Sequence, residues 1–292
     1  MPRHKIIALF RAARMALHLV YGLMIALIFP RFDTDKRRRI VRRWSADLLH
    51  ILNIRIEVTA TDALHKLASG LIVCNHISWL DVFVLNSVMP TRFIAKTEVK
   101  SWPVIGWLCA RSQTLFIKRG HARDAARLNR QILDLLQSGD SLAVFPEGTS
   151  TDGRHVADFH ASLLQPAIDA AANLYPLALR YQDADGTHNT APAYIGEITF
   201  AASLWNILKC HNLHAHLTVT PTLCAADFNR RSLTAAAQQQ IRAAIAAMHE
   251  DHQLPEGTAA DQPLEENIKA MYSMLLPMPG SYESDDVALH SR

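Results

Sequence analysis

His76 and Asp81 stand five residues apart in the string Asn75-His76-Ile77-Ser78-Trp79-Leu80-Asp81, directly after the apolar run Leu71-Ile72-Val73-Cys74. An imidazole titrates near physiological pH, so it can take a proton from an alcohol. A carboxylate on the other ring nitrogen fixes the tautomer and stabilises the imidazolium that forms. On a regular helix an offset of five points two side chains in different directions. The pair therefore works only if His76 sits on a strand-to-helix turn and Asp81 lies in the helix's first turn. Ser78 is then the expected N-cap and Asp81 falls at N3, as in a capping box. That capping role alone would account for the carboxylate, and a hydrogen-bonded histidine at a strand end would account for His76. A second string, Phe145-Pro146-Glu147-Gly148-Thr149, also ends an apolar run, Leu142-Ala143-Val144-Phe145. Two such strings at two strand ends point to one site at the carboxyl edge of a sheet, where open α/β sheets bind ligands.

Elements able to hold such an edge follow from residue 54 onwards. Ile54-Arg55-Ile56-Glu57-Val58 alternates like a strand exposed on one face. Leu71–Cys74, Arg92–Ala95, Thr114–Ile117, Ser141–Phe145, Leu174–Leu179 and His216–Thr220 read as further short strands. Helical patterns fall between several of them, notably Ala122–Gln137, which ends at Ser138-Gly139. A late helix, rich in alanine, spans Leu233–His249. No internal repeat is present.

The two strings, taken together, resemble the glycerolipid acyltransferase family, whose enzymes acylate lysophosphatidic acid and related lysolipids. Asn75-His76-x4-Asp81 is similar to that family's first block, and Phe145-Pro146-Glu147-Gly148-Thr149 to its third. Between them, Leu115-Phe116-Ile117-Lys118-Arg119 resembles the second block, and Tyr175-Pro176-Leu177-Ala178-Leu179 the fourth. All four occur in order between about residues 70 and 180. The resemblance implies an α/β fold with a central mixed sheet flanked by helices. It also implies His76 as general base, Asp81 as its orienting partner, and a substrate site drawn from Asn75, Lys118, Arg119, Glu147, Gly148 and Thr149. Arg119 would hold the anionic head group of the acceptor, with Lys118 adjacent. Glu147 orders the Gly148-Thr149 turn, or accepts a hydrogen bond from the acceptor or Arg119, or is a purely structural turn carboxylate. Gly148 is expected at positive φ or at a close substrate approach. Backbone N–H groups after His76 are candidates for stabilising an oxyanion. One position departs from the family: enzymes that use lysophosphatidic acid often carry arginine after Glu-Gly-Thr, and here that residue is Ser150. Ser150-Thr151-Asp152-Gly153 is more similar to a branch that includes acyltransferases for lyso-ornithine lipid.

Charge is uneven along the 292 residues. The net charge is +3, yet the first 43 residues hold eleven basic side chains against two acidic ones, so the remainder is net acidic. A basic stretch suits nucleic acid or an anionic membrane surface, and its neighbours favour the membrane. Ile6–Phe29 is mostly apolar, interrupted by Arg11, Arg14 and His18 on one helical face. Its clean part, Met15–Phe29, is shorter than the roughly 20 residues of a spanning helix. A helix lying in the interface, or dipping in with its arginines snorkelling, is the expectation, with an ordinary helical hairpin packed on the core as the alternative. Pro30 ends it. A second helix, about Lys36 to Leu52, puts Ile40, Trp44, Leu48 and Ile51 on one stripe, with Trp44 as an interfacial anchor. Proline, glycine, serine and acidic residues accumulate from about Leu254, which reads as a loosely ordered tail with one helical piece near Glu265–Met274. The organisation expected is a membrane-associated helical hairpin over 1–52, an α/β acyltransferase domain over 53–250 and the tail over 251–292.

Other chemistries are set aside on residue type. Gly148 to Gly153 has the two-glycine spacing of a P-loop, but Arg154-His155 replace its lysine and hydroxyl residue. No G-x-S-x-G elbow or G-x-G-x-x-G is present. His211, His214 and His216 cluster, with Cys210 alone as a further ligand, so no metal is expected. The four cysteines form no C-x-x-C and read as reduced residues. The function expected is transfer of a fatty acyl group from an acyl thioester to a lysolipid hydroxyl, with 1-acyl-sn-glycerol-3-phosphate as acceptor and phosphatidic acid as product. Lyso-ornithine lipid as acceptor, or a non-catalytic lipid-binding module, are the alternatives. No bound cofactor is expected; acyl-CoA or acyl-acyl carrier protein is the donor. The expected place is the cytoplasmic face of the cytoplasmic membrane, by monotopic attachment or one N-terminal helix, with no nucleic-acid partner.

Overall fold

The computed structural model describes residues 2–60, 69–102, 105–118 and 122–250. Helix α1 spans Pro2–Ile28 and passes through a 3-10 turn, Phe29–Arg31, into α2, Thr34–Ile51. Asp33 caps α2 by accepting the Lys36 N–H at 2.8 Å. Arg37 donates to the carbonyls of Phe29 and Pro30, at 3.3 and 2.7 Å, and so ties the turn between the helices. By length and composition α1 is able to cross a membrane.

The polar face of α1 does not behave as its spacing predicts. Arg11 does not snorkel to an interface. Its guanidinium is buried and donates to the carbonyls of Leu208 and Cys210, at 3.0 and 2.6 Å, at the end of a later helix. His18 stacks on Trp44 at 4.6 Å and bonds the Trp44 carbonyl at 2.9 Å. Trp44, half-buried, packs between His18 and Phe83. The polar face of α1 docks on the domain, and the opposite face is left bare: Leu17 is 72% exposed and Met24 62%.

Eight strands form one sheet: β1 Ile54–Thr59, β2 Gly70–Cys74, β3 Arg92–Lys96, β4 Leu115–Ile117, β5 Leu142–Val144, β6 Asn173–Gln182, β7 Leu213–Val219 and β8 Leu223–Cys224. The order is β1-β7-β6-β2-β5-β3-β4, with β8 paired to β6. Strands β2 to β6 are mutually parallel, whereas β7 and β8 run against β6 and β1 follows β7, so the sheet is mixed as expected. The helices α3 Asp81–Val88, α4 Thr97–Lys100, α5 Ile105–Arg111, α6 Ala122–Gln137, α7 Gln165–Asp169, α8 Phe200–Lys209 and α9 Arg230–Glu250 complete the described fold. Alternate residues of β2 divide the core: Ile72 and Cys74 join the layer of Leu48, Val84 and Leu208, while Leu71 and Val73 join that of Leu128, Ile132 and Ile241. Helices α1, α2, α3 and α8 thus cover one face and α6, α7 and α9 the other.

Most strand ends lie within a few residues of the sequence reading. β6 runs on to Gln182, three residues beyond the Leu174–Leu179 segment, and is buried along nearly its whole length. Helix α8 was not anticipated; Thr199 caps it by accepting the Ala202 N–H at 3.2 Å. The expected tail with its helical piece at Glu265–Met274 lies outside the described residues.

Candidate active site

Register places the two strings side by side. β2 and β5 are neighbours, with Leu71 opposite Leu142 and Val73 opposite Val144. The chain leaving β2 at Cys74 and the chain leaving β5 at Val144 therefore emerge together at the carboxyl edge.

Asn75 comes first and is fully buried. Its amide donates to the Leu179 carbonyl at 2.9 Å and accepts the Leu179 N–H at 2.8 Å. The side chain thus extends the β2–β6 pairing past the end of β2. Expected among the substrate-binding groups, Asn75 has both ends of its amide engaged inside the fold.

His76 Nδ1 donates to Asp81 Oδ2 at 2.8 Å; its side chain is 24% exposed and that of Asp81 fully buried. A carboxylate can only accept, so Nδ1 carries the hydrogen and Nε2 presents its lone pair. The imidazole lies against the Phe145 ring, centroids 4.2 Å apart, and Phe93 stacks behind Phe145.

The loop to Asp81 keeps only half of the expected capping box. Helix α3 begins at Asp81 itself, and Leu80 is its N-cap with no side-chain bond. The Ser78 hydroxyl is buried and unpaired among the described residues. Asp81 Oδ2 does accept the Ser78 N–H at 3.0 Å, the return half of such a box, and it accepts the Ile77 N–H at 2.7 Å as well. Those are the amides expected to serve an oxyanion; they are spent on the carboxylate. Tyr181 completes the shell by donating to Asp81 Oδ1 at 2.8 Å. Burial, and then the Asp81 charge, push the Tyr181 phenol well above its usual value, so it stays a donor. Sequence reasoning missed Tyr181, although Tyr175, Leu177, Leu179 and Tyr181 share one side of β6 by simple alternation.

Glu147 is also an internal partner. It is buried; one oxygen accepts the His76 N–H at 2.6 Å and the other the Ala157 N–H at 2.7 Å. Burial raises its carboxyl above the usual range, while these N–H groups pull the other way. Placed among the substrate contacts by the sequence, it fastens the first string to the second in the fold. Gly148 has φ +68°, as anticipated, and an added Cβ would meet the His160 ring at 2.8 Å. Thr149 is exposed at the rim. Thr151, which the sequence did not single out, donates its N–H to the His76 carbonyl at 2.8 Å. Ser150, at the position of the family's arginine, donates its hydroxyl to the Tyr194 carbonyl. The Tyr194 N–H in turn bonds the Ile77 carbonyl at 2.9 Å. His76 is thus held through its side chain, its N–H and its carbonyl.

Lys118 is exposed just past β4, three strand spacings from β2, on the order of 14 Å. Arg119 lies outside the described residues. Cys74 adjoins the site but is buried, and burial pushes its thiol well above the usual value, which removes it as a nucleophile at neutral pH. Two of the clustered histidines are engaged within the sheet: His214 with Glu57 at 2.6 Å and His216 with Thr59 at 2.7 Å.

Comparison with known proteins matches residues 55–180 to a family model described as Acyltransferase. A 1-acyl-sn-glycerol-3-phosphate acyltransferase of Neisseria meningitidis is 35% identical over 213 residues, 73% of this chain and 83% of that protein. A lyso-ornithine lipid O-acyltransferase of Pseudomonas aeruginosa is 31% identical over 244 residues, 81% of this chain and 93% of that protein. The crystal structure of a 1-acyl-sn-glycerophosphate acyltransferase from Thermotoga maritima superposes with a TM-score of 0.66 at 17% identity, covering 89% of this chain and 98% of that one.

Proposed function

The chain belongs to the glycerolipid acyltransferase family, and we propose that it moves a fatty acyl group from a thioester to the free hydroxyl of 1-acyl-sn-glycerol-3-phosphate at a membrane surface. The observation that carries this reading is the His76–Asp81 pair, in which Nδ1 is engaged, Nε2 has no hydrogen-bond partner among the described residues, and the side chain is 24% exposed. The acceptor hydroxyl gives its proton to His76 Nε2 while its oxygen attacks the thioester carbonyl carbon. The tetrahedral intermediate collapses, the C–S bond breaks, and the leaving thiolate takes the proton back from the imidazolium. No covalent enzyme intermediate is needed. Asp81 holds the tautomer, and Glu147 and Thr151 hold the backbone of His76 in place. Lys118 and Arg119, past β4, are the residues assigned to the anionic head group, and a guanidinium suits phosphate or carboxylate bidentately. Acyl-CoA or acyl-acyl carrier protein supplies the acyl group. The bare face of α1 and the basic cluster from Arg31 to Arg43 hold the enzyme at the bilayer, which we place at the cytoplasmic face.

Ser150 favours a second reading, lyso-ornithine lipid as the acceptor. Its hydroxyl is turned to the Tyr194 carbonyl and adds no cation to the site. The deciding experiment offers both lysolipids in one reaction with a labelled acyl thioester. Preferential acylation of lysophosphatidic acid supports the first reading; preference for lyso-ornithine lipid replaces it. Acylation of neither acceptor overturns both.

A further inference from the structure

Helix α6 carries a row of three arginines that neither the fold nor the catalytic site uses. Arg123, Arg127 and Arg130 are all exposed. At 3.6 residues per turn they share one narrow face about 10 Å long, roughly opposite the buried side. That buried side is Leu128, Ile132 and Leu136. Among the described residues none of the three is ion-paired, although Arg38, Arg43, Arg92, Arg154 and Arg242 all are. Local stability does not account for Arg123. Arg123 sits in the first turn of α6, where the helix dipole disfavours a cation, and Asp124 beside it offsets that only in part. The row stands on a stretch, residues 44–250, whose basic and acidic side chains balance to no net charge.

Position narrows the partner. The row begins in the first turn of the helix that follows β4 in the chain, and a parallel strand hands on to its next helix at the carboxyl edge. α6 packs in the core layer opposite the one shared by α1 and α8. A bilayer held by the bare face of α1 lies on the other side of the sheet. The row is also convex, on the outermost face of a helix, whereas small molecules are held in concave sites. A convex line of guanidinium groups suits carboxylates on the surface of another protein.

We propose that Arg123, Arg127 and Arg130 form the docking face for an acidic carrier protein that presents the acyl thioester. This rests on the acyltransferase reading above and adds the donor's identity and its direction of approach. The lysolipid enters from the bilayer side, and the carrier reaches over the opposite rim.

The test compares two donors with the same acyl chain and acceptor, one on acyl carrier protein and one on coenzyme A. The triple reversal Arg123→Glu, Arg127→Glu, Arg130→Glu touches only exposed side chains. It should raise KM for the carrier thioester by about tenfold or more, the scale expected when several interface charges are reversed. It should also abolish the increase of that KM with salt. KM for the coenzyme A thioester and for the acceptor should stay within about twofold, as for charges outside the chemical site. Equal effects on both donors, or none on either, overturn the proposal. So does loss of vesicle binding by the triple variant, which would make the bilayer the partner. A wild-type enzyme active with coenzyme A thioesters alone removes the carrier and leaves the acyltransferase reading intact. Inactivity with both donors removes that reading as well.

Discussion

Tyr181 donates its hydroxyl hydrogen to Oδ1 of Asp81 across 2.8 Å, from a position 100 residues further along the chain. Asp81 thereby holds four donors: the Tyr181 hydroxyl, His76 Nδ1, and the N–H groups of Ile77 and Ser78. No cation is among them. Each bond satisfies part of a buried acceptor that water does not reach. Tyr181→Phe should therefore lower stability by about 1–3 kcal/mol, the cost of an unsatisfied buried acceptor. Turnover should fall, but less than for Asp81→Asn. Denaturant melts and steady-state rates of the two variants check both points; a Tyr181→Phe protein identical to wild type would show that this bond does nothing.

Removal of the base is the most direct test of the chemistry. His76→Ala should lower turnover by at least about 10²-fold, the usual scale for a lost general base. Asp81→Asn should be severe too, because an amide can select the wrong tautomer of His76. A folded His76→Ala enzyme with near-normal turnover would end the proposed mechanism.

Glu147 should resist even its isosteric replacement. Whichever way the amide of Glu147→Gln turns, its NH₂ group faces a backbone N–H, of His76 or of Ala157. The expected loss is about 1–3 kcal/mol of stability. A displaced His76 backbone costs about 10²-fold in rate, the scale of small misplacements of reacting groups. Circular dichroism melts and single-turnover rates measure the two effects separately.

Membrane attachment is best tested on the bare face of α1, because deletion would also remove the bonds from Arg11 to Leu208 and Cys210. Leu17→Glu, Val20→Glu and Met24→Glu together alter side chains that are 72, 56 and 62% exposed, so the fold should persist. The triple variant should leave vesicles in high salt, where the remaining basic attraction is screened. In low salt it should still bind anionic vesicles through Arg31 to Arg43. Wild-type protein should stay bound in both. Co-sedimentation of the variant equal to wild type in high salt would place the anchor elsewhere.

Asp140 gives an acid-stability signature. Although burial works against it, the Ser141 N–H and the guanidinium groups of Arg92 and Arg38 hold its carboxyl below the usual 3.8. A depressed carboxyl stabilises the fold above its unfolded value and loses that contribution as pH falls through its folded value. The stability gap between wild type and Asp140→Asn should be constant near neutrality and narrow below about pH 4. Urea titrations at several pH values test this; a gap that widens in acid contradicts it.

Sequence spacing carried the site a long way, because His76, Asp81 and the Glu147 turn each follow a strand whose apolar run is unmistakable. Side-by-side placement of β2 and β5 was not readable, since register depends on which strands pair rather than on either strand alone. The role of Asn75 was hidden for a related reason: its two partners are backbone atoms of Leu179, and backbone atoms leave no trace in residue type. Arg11 misled because an arginine in an apolar helix reads alike whether it reaches for lipid phosphates or for carbonyls at a helix end. Ser78 misled because its position suited an N-cap, yet the Asp81 N–H goes to the Ser78 carbonyl rather than to its hydroxyl.

The Phe145 ring lies flat on one face of His76, and Phe93 backs it. Approach to the ring from that face is therefore closed to water and acceptor alike. Whether a thioester is transferred or wasted by hydrolysis then turns on how long the lysolipid holds the side that is left. Opening the covered side, as Phe145→Ala would, should show up first as leakage of free fatty acid rather than as a slower acyl transfer.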